Sequence, residues 1–159
     1  MKRLTVVLVV LGLLSLGGVA MAQDTATVTV SAQVVGTCKF VAPGTAALAF
    51  GVLPFDVNGN ALGAAASTTL NFWCTNRAAY TITDNDGLYE TGVNANRMRS
   101  DTVLPFEYID YTFTYNPASG TGAGPANPFL LTINGTVGTT YAANSPDTYS
   151  DTVTLTINP

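Results

Sequence analysis

The sequence predicts an all-β fold, an antiparallel β-sandwich, and three observations carry that expectation. From Thr25 onward apolar and polar residues alternate with period two and almost never with the 3.6-residue period of a helix. The alternating runs are short and bounded by Gly, Pro, Asn and Asp clusters. Six or seven of them fit in a chain of 159 residues, a length that suits one domain. A closed barrel is the second architecture compatible with this pattern.

Taken in chain order, residues 1–22 read as a signal peptide. Lys2 and Arg3 give a positive start, residues 4–19 are uncharged and apolar, and Ala20-Met21-Ala22 supplies the small-x-small pattern, so cleavage is expected between Ala22 and Gln23. Gly12, Gly17 and Gly18 interrupt an apolar run already short for a span, which argues against a retained transmembrane anchor. The first strand is expected over 25–34, with Ala26, Val28, Val30, Ala32 and Val34 on one face and Thr25, Thr27, Thr29, Ser31 and Gln33 on the other. Further strands are expected at 48–53, 68–74, 80–83, 106–115, 129–134 and 149–157. The stretch 61–66 contains Gly63 and lacks a cap, so it reads as a loop or single turn. Asn58-Gly59 and Asn134-Gly135 read as tight turns, 84–87 as a turn, and 117–128 as a Gly/Pro/Ala-rich connection. Asn134-Gly135-Thr136 also satisfies a glycosylation sequon, and the turn reading is preferred.

Composition removes most site chemistries. The chain has no histidine, which excludes Ser-His-Asp and Cys-His catalysis and imidazole-based zinc sites. Ser145 and Ser150 have no base beside them, no pair of carboxylates is singled out for acid–base work, and no enzymatic activity or cofactor is expected. Beyond the leader, Lys39, Arg77, Arg97 and Arg99 face ten acidic residues, so nucleic acid is not an expected partner. Asp84, Asp86 and Glu90 form an acidic cluster resembling a calcium loop, but without the required glycine position and flanking helices it reads as a solvated turn rather than a metal site. Cys38 and Cys74 lie in the exported part without C-x-x-C spacing, and one disulfide is the economical reading. Ile109, Tyr111, Phe113 and Tyr115 share one strand face and read as core, with Tyr108 opposite; an exposed aromatic carbohydrate platform is the alternative. Trp73 belongs to the outer face or the neighbourhood of the disulfide.

Two positions carry a functional expectation. The strand at 149–157 ends almost flush with Pro159, and the run 25–34 lies outside the loop that a Cys38–Cys74 bridge would close. A sandwich short of one strand exposes unpaired backbone, and strand addition from another chain is the remedy. Val28, Val30 and Val34 would each supply about 1.5–3 kcal/mol gross on full burial.

The stretches V-S-A-Q-V-V-G-T-C (30–38), N-R-M-R-S-D-T-V-L-P-F (96–106), I-N-G-T-V (133–137) and Y-S-D-T-V-T-L-T-I (149–157) resemble the spore coat protein U domain family. That family includes subunits of archaic chaperone-usher pili. The resemblance implies an incomplete immunoglobulin-like β-sandwich completed by donor-strand exchange, with residues 23–36 as the donor extension and 37–159 as the pilin domain. It implies Val28, Val30, Ala32 and Val34 as donor residues and Val153, Leu155 and Ile157 as acceptor-groove residues. Cys38–Cys74 becomes a family-type disulfide, and the Pro159 carboxylate an anchor for basic groups of a periplasmic chaperone. The implied partners are neighbouring pilin subunits, that chaperone and an outer-membrane usher; the implied destination is the cell surface or secretion. The donor segment and single domain suit a rod or linking subunit. Residues 107–130 depart from the family pattern. Two other readings stand beside this one: a binding module in which 25–34 folds back onto its own sandwich through a turn at Gly36 and Thr37, and a coat or matrix protein.

Overall fold

Period-two alternation produces a strand only where a neighbouring backbone supplies the ladder, and the computed structural model, which describes residues 24–159, sorts the alternating runs on that criterion. The expected leader 1–22 and the cleavage point between Ala22 and Gln23 lie outside the described residues. Among the described residues nine strands form: β1 (Cys38–Phe40), β2 (Ala64–Cys74), β3 (Ala79–Asp84), β4 (Arg97–Ser100), β5 (Tyr108–Asn116), β6 (Ser119–Thr121), β7 (Phe129–Val137), β8 (Tyr149–Ser150) and β9 (Leu155–Asn158). One sheet runs β1-β2-β7-β5-β4-β8 and the other β6-β3-β9, with every pairing antiparallel. The sheets are separate, so the barrel alternative does not hold. The fold is an immunoglobulin-like sandwich.

The core lies where the inner faces meet. Phe72, Cys74, Leu131 and Ile133 of the larger sheet pack with Tyr80 and Ile82 of the smaller, and half-buried Leu155 and Ile157 join them. Phe72 centres an aromatic group, stacked on Phe129 at 5.4 Å and edge-on to Tyr80 at 5.1 Å. A second cluster of Ile109, Tyr111, Val137, Tyr141 and Ala61 fills the other end. Cys38 and Cys74 are directly opposed in the β1–β2 register and joined by a disulfide. Ile109 and Tyr111 are buried, Phe113 and Tyr115 half-buried and Tyr108 exposed, as the alternation of β5 requires. Trp73, opposite Lys39, takes the outer face between buried Phe72 and Cys74. Among the described residues no helix is long and apolar enough to cross a membrane.

Several expectations are corrected. Residues 24–33 belong to a unit separate from the one that holds the sheets and form no strand, and the apolar face at 25–34 is exposed. The run 48–53 forms no strand either, although Leu48, Phe50 and Leu53 remain half-buried. The stretch 61–66 is only partly loop, because β2 already begins at Ala64. Asn134-Gly135 is no turn; it lies inside β7, paired with Ser67 and Ala66 of β2 and with Thr114 and Phe113 of β5. Gly135 is needed there because Leu48 and Phe50 press on its α-carbon. The connection 117–128 contains β6, and the charged β4 was not among the expected strands. Finally, 149–157 is two strands in different sheets, interrupted at 151–154.

Side chains cause that interruption. The Asp151 carboxylate accepts hydrogen bonds from Leu88 N (2.9 Å), the Tyr111 hydroxyl (2.7 Å) and Thr152 N (2.7 Å), and Thr154 N donates to Asn85 Oδ1 (2.8 Å). Asn85 and Leu88 belong to the loop after β3, which begins with the expected turn: Asp86 and Gly87 have positive φ, and Asp84 Oδ1 and Asn85 Oδ1 accept from Asp86 N and Gly87 N. The Asn58-Gly59 turn also forms, with Gly59 at φ 82° and Phe55 bridged to Ala61.

Candidate functional site

The larger sheet leaves a groove on its inner face. Leu70 of β2, Ile133 of β7, Tyr111 and Phe113 of β5 and Met98 of β4 form its floor. One rim is the strandless segment 44–50 and the other is 149–155, enclosing about 570 Å³. A second hollow of about 680 Å³ shares Leu48, Phe50, Met98 and Tyr149 with the first and continues it along 51–55 and 144–148. The result is one long channel, floored by apolar side chains, between two chain segments.

Both rims hold backbone without a ladder. Among the described residues, no backbone group of 45–53 is hydrogen-bonded to another backbone group, and the same holds for 151–154. The first rim is seated by side chains: Phe50 meets Tyr111 at 6.1 Å between ring centroids, and Leu48 and Phe50 abut Gly135. Carboxylates fasten the second rim. Glu107 accepts from Ser145 N (2.6 Å), Ser145 Oγ (2.9 Å) and the Tyr149 hydroxyl (2.8 Å). Asp147 accepts from Thr102 N (2.7 Å), Val103 N (3.1 Å) and Thr102 Oγ1 (2.9 Å), and Asp101 from Ser150 Oγ (2.9 Å).

The electrostatics follow from these bonds. The Thr102 N–H, then those of Val103 and Thr148 with the Thr102 hydroxyl, hold the Asp147 carboxyl down at about 2 against burial. The Ser145 N–H, followed by the Tyr149 and Ser145 hydroxyls, lowers Glu107. Burial, then the hydrogen bond to Asp151, raises the Tyr111 phenol, which stays a neutral donor in the groove wall. The groove therefore presents apolar side chains, paired hydroxyls and rim backbone outside any ladder, which suit an extended peptide better than a small polar substrate.

Of the expected acceptor residues, Val153 and Leu155 line the groove. Ile157 instead pairs with Ile82 and packs against the core cluster around Phe72. Val28, Val30 and Val34 are 81%, 89% and 83% exposed, and Ala32 is exposed too. Asp84 and Asp86 spend carboxylate oxygens on Asp86 N and Asn94 N, and Glu90 is exposed. Ser145 and Ser150 donate to Glu107 and Asp101 as rim fasteners. Sequence reasoning missed the floor, Leu70, Met98, Tyr111, Phe113 and Ile133, and the first rim. The alternation at 48–53 was the available signal for that rim.

Comparisons with known proteins add the following. The family model described as Spore Coat Protein U domain matches residues 24–156. No curated protein matches the chain. Among solved structures, the chain is similar to one in the CsuC-CsuE chaperone-tip adhesion subunit pre-assembly complex from archaic chaperone-usher Csu pili of Acinetobacter baumannii. The identity is 17% and the TM-score 0.51, covering 78% of this chain and 40% of that one. A chain in a chaperone-tip adhesin complex of CFA/I fimbriae biogenesis is 12% identical with a TM-score of 0.46, covering 77% of this chain and 41% of that one. The chain thus spans about two fifths of the length of each of these two chains.

Proposed function

The chain belongs to the spore coat protein U domain family, and on that premise we propose that it is a secreted structural subunit of a surface pilus, polymerising by donor-strand complementation. The observation that carries this reading is the groove between 44–55 and 144–155, floored by apolar side chains and flanked at 45–53 and 151–154 by backbone that joins no ladder. An inserted strand would hydrogen-bond to the rims and lay alternate side chains on Leu70, Phe113 and Ile133. Residues 25–34 have the matching form: exposed, period-two and small, with Val28, Val30, Ala32 and Val34 on one face. In this reading 1–22 is the leader, Val153 and Leu155 belong to the acceptor, and Ile157 supports it from the core.

The likeness to a chain in a chaperone–subunit complex supports a periplasmic chaperone as the partner that covers the groove before assembly. The Pro159 carboxylate is proposed as its anchor, and an outer-membrane usher and neighbouring subunits as the remaining partners. The role is structural, without catalysis or cofactor.

Sedimentation of the chain 23–159 and of the same chain lacking 23–34 tests the proposal. The longer form should form oligomers through donation, and the shorter should lose them. Soluble monomers from both would overturn it and favour a self-complemented module.

A further inference from the structure

On the outer face, away from the groove, Arg97 and Arg99 stand two residues apart on β4, so their side chains leave the same side of the sheet about 6.7 Å apart. The Arg99 guanidinium lies between two rings, 4.4 Å from the Tyr89 centroid and 4.2 Å from that of Phe106. The Arg97 guanidinium lies 4.3 Å from the Tyr108 centroid, and its Nε–H donates to the Tyr89 carbonyl at 2.9 Å. Tyr89 and Tyr108 meet edge-on at 6.3 Å, closing the cluster. Stacking covers the faces of a guanidinium and leaves its in-plane N–H donors directed outward. Among the described residues no hydrogen bond or ion pair engages the Arg99 guanidinium, in a protein with ten acidic residues and six basic ones. Asp110 faces Arg97 across the β4–β5 register, and Asp101 is bonded to Ser150, the β8 partner of Arg99.

We propose that this face binds a carboxylated glycan. The two fixed guanidinium forks take carboxylates in bidentate fashion, the exposed edges of Tyr108 and Phe106 meet sugar C–H groups, and Asp101 and Asp110 accept from hydroxyls. The two aspartates on the same face disfavour a dense polyphosphate, which has no hydroxyls to offer at that spacing. The site lies opposite the groove floor, because Met98, between the two arginines, points into the groove.

Calorimetric titration of the full chain with oligogalacturonate, a sialylated oligosaccharide, a neutral oligosaccharide and inorganic polyphosphate tests the assignment. Binding of the uronate or the sialylated ligand, with the neutral one weaker, is expected, and which binds identifies the source. Arg99→Lys keeps the charge but loses the stacked fork, and it should weaken binding roughly tenfold with an unchanged thermal midpoint. Phe106→Leu, which removes one stacking plane, should weaken it as well. Failure of both acidic glycans to bind would overturn the proposal. So would polyphosphate binding as tightly as the glycans, or Arg99→Lys binding as well as the parent.

Discussion

Phe50 rests on the bare α-carbon of Gly135: a Cβ built on that glycine would stand 2.9 Å from Phe50 Cζ. Leu48 Cδ2 would be 2.8 Å away and the Thr112 carbonyl oxygen 2.9 Å. A rim without backbone hydrogen bonds is therefore located by a notch in the central strand of the sheet. Gly135→Ala should destabilise the domain by about 1–3 kcal/mol, the range for overpacking a filled site. The midpoint of urea unfolding checks it, and an unchanged midpoint would mean that Leu48 and Phe50 leave the notch freely.

Asp151 joins three elements, taking the Tyr111 hydroxyl, Leu88 N and its own neighbour Thr152 N. Its replacement by alanine leaves the Tyr111 hydroxyl, in the wall of the groove, without its acceptor. The expected cost is about 2–3 kcal/mol, appropriate to hydrogen bonds to a charged group. Amide exchange should also quicken at Leu88 and Thr152, the two donors released.

Acid should loosen the second rim. The Asp147 carboxyl sits at about 2 in the folded chain against an ordinary 3.8. A folded value below the unfolded one stabilises the fold above the unfolded value, and this contribution fades as pH falls through the folded one. Unfolding free energy should therefore decline between about pH 4 and pH 2, with Glu107 contributing in the same direction. Asp147→Asn removes its share, so the stability difference between parent and variant should shrink across that window. Parallel stability–pH curves would contradict the assignment.

The disulfide spans 36 positions from β1 to β2. Replacing both cysteines by alanine should cost about 4 kcal/mol by loop entropy, measured as the shift in denaturant midpoint between the variant and the oxidised parent.

Donation and acceptance reside on different residues in the proposed assembly, so they separate genetically. Val30→Asp should abolish donation by burying an unpaired charge but leave the groove usable, and Val153→Asp should do the reverse. Each variant alone should stay monomeric, and an equimolar mixture should give one-to-one dimers by size-exclusion chromatography. Continued polymerisation of Val30→Asp alone would contradict the donor assignment.

Much of the fold was legible because a half-buried strand writes its burial into a period of two. The faces of β5, with Tyr111 inward and Tyr108 outward, and the extent of β3 follow from that period alone. The pairing of Cys38 with Cys74 follows from there being only two cysteines in a chain whose sequence reads as exported. Alternation records which side chains are apolar, however, and says nothing about whether another backbone is near enough to bond. For that reason 25–34 and 48–53 look like strands in sequence and are none in the fold, whereas β4, with two arginines in four residues, is one. Asn134-Gly135 has the chemistry of a hairpin turn, yet the pressure of Leu48 and Phe50 puts that glycine inside a strand. The break at 151–154 depends on Asn85 and Leu88, more than sixty positions away, which no local pattern encodes. The sequence by itself determined the all-β class, the inward and outward faces and the disulfide, since these depend on side-chain polarity and cysteine count. The groove, the breaks in its rims and the stacked arginines on the outer face were decided by tertiary structure, because each exists only through contacts between segments distant in the chain.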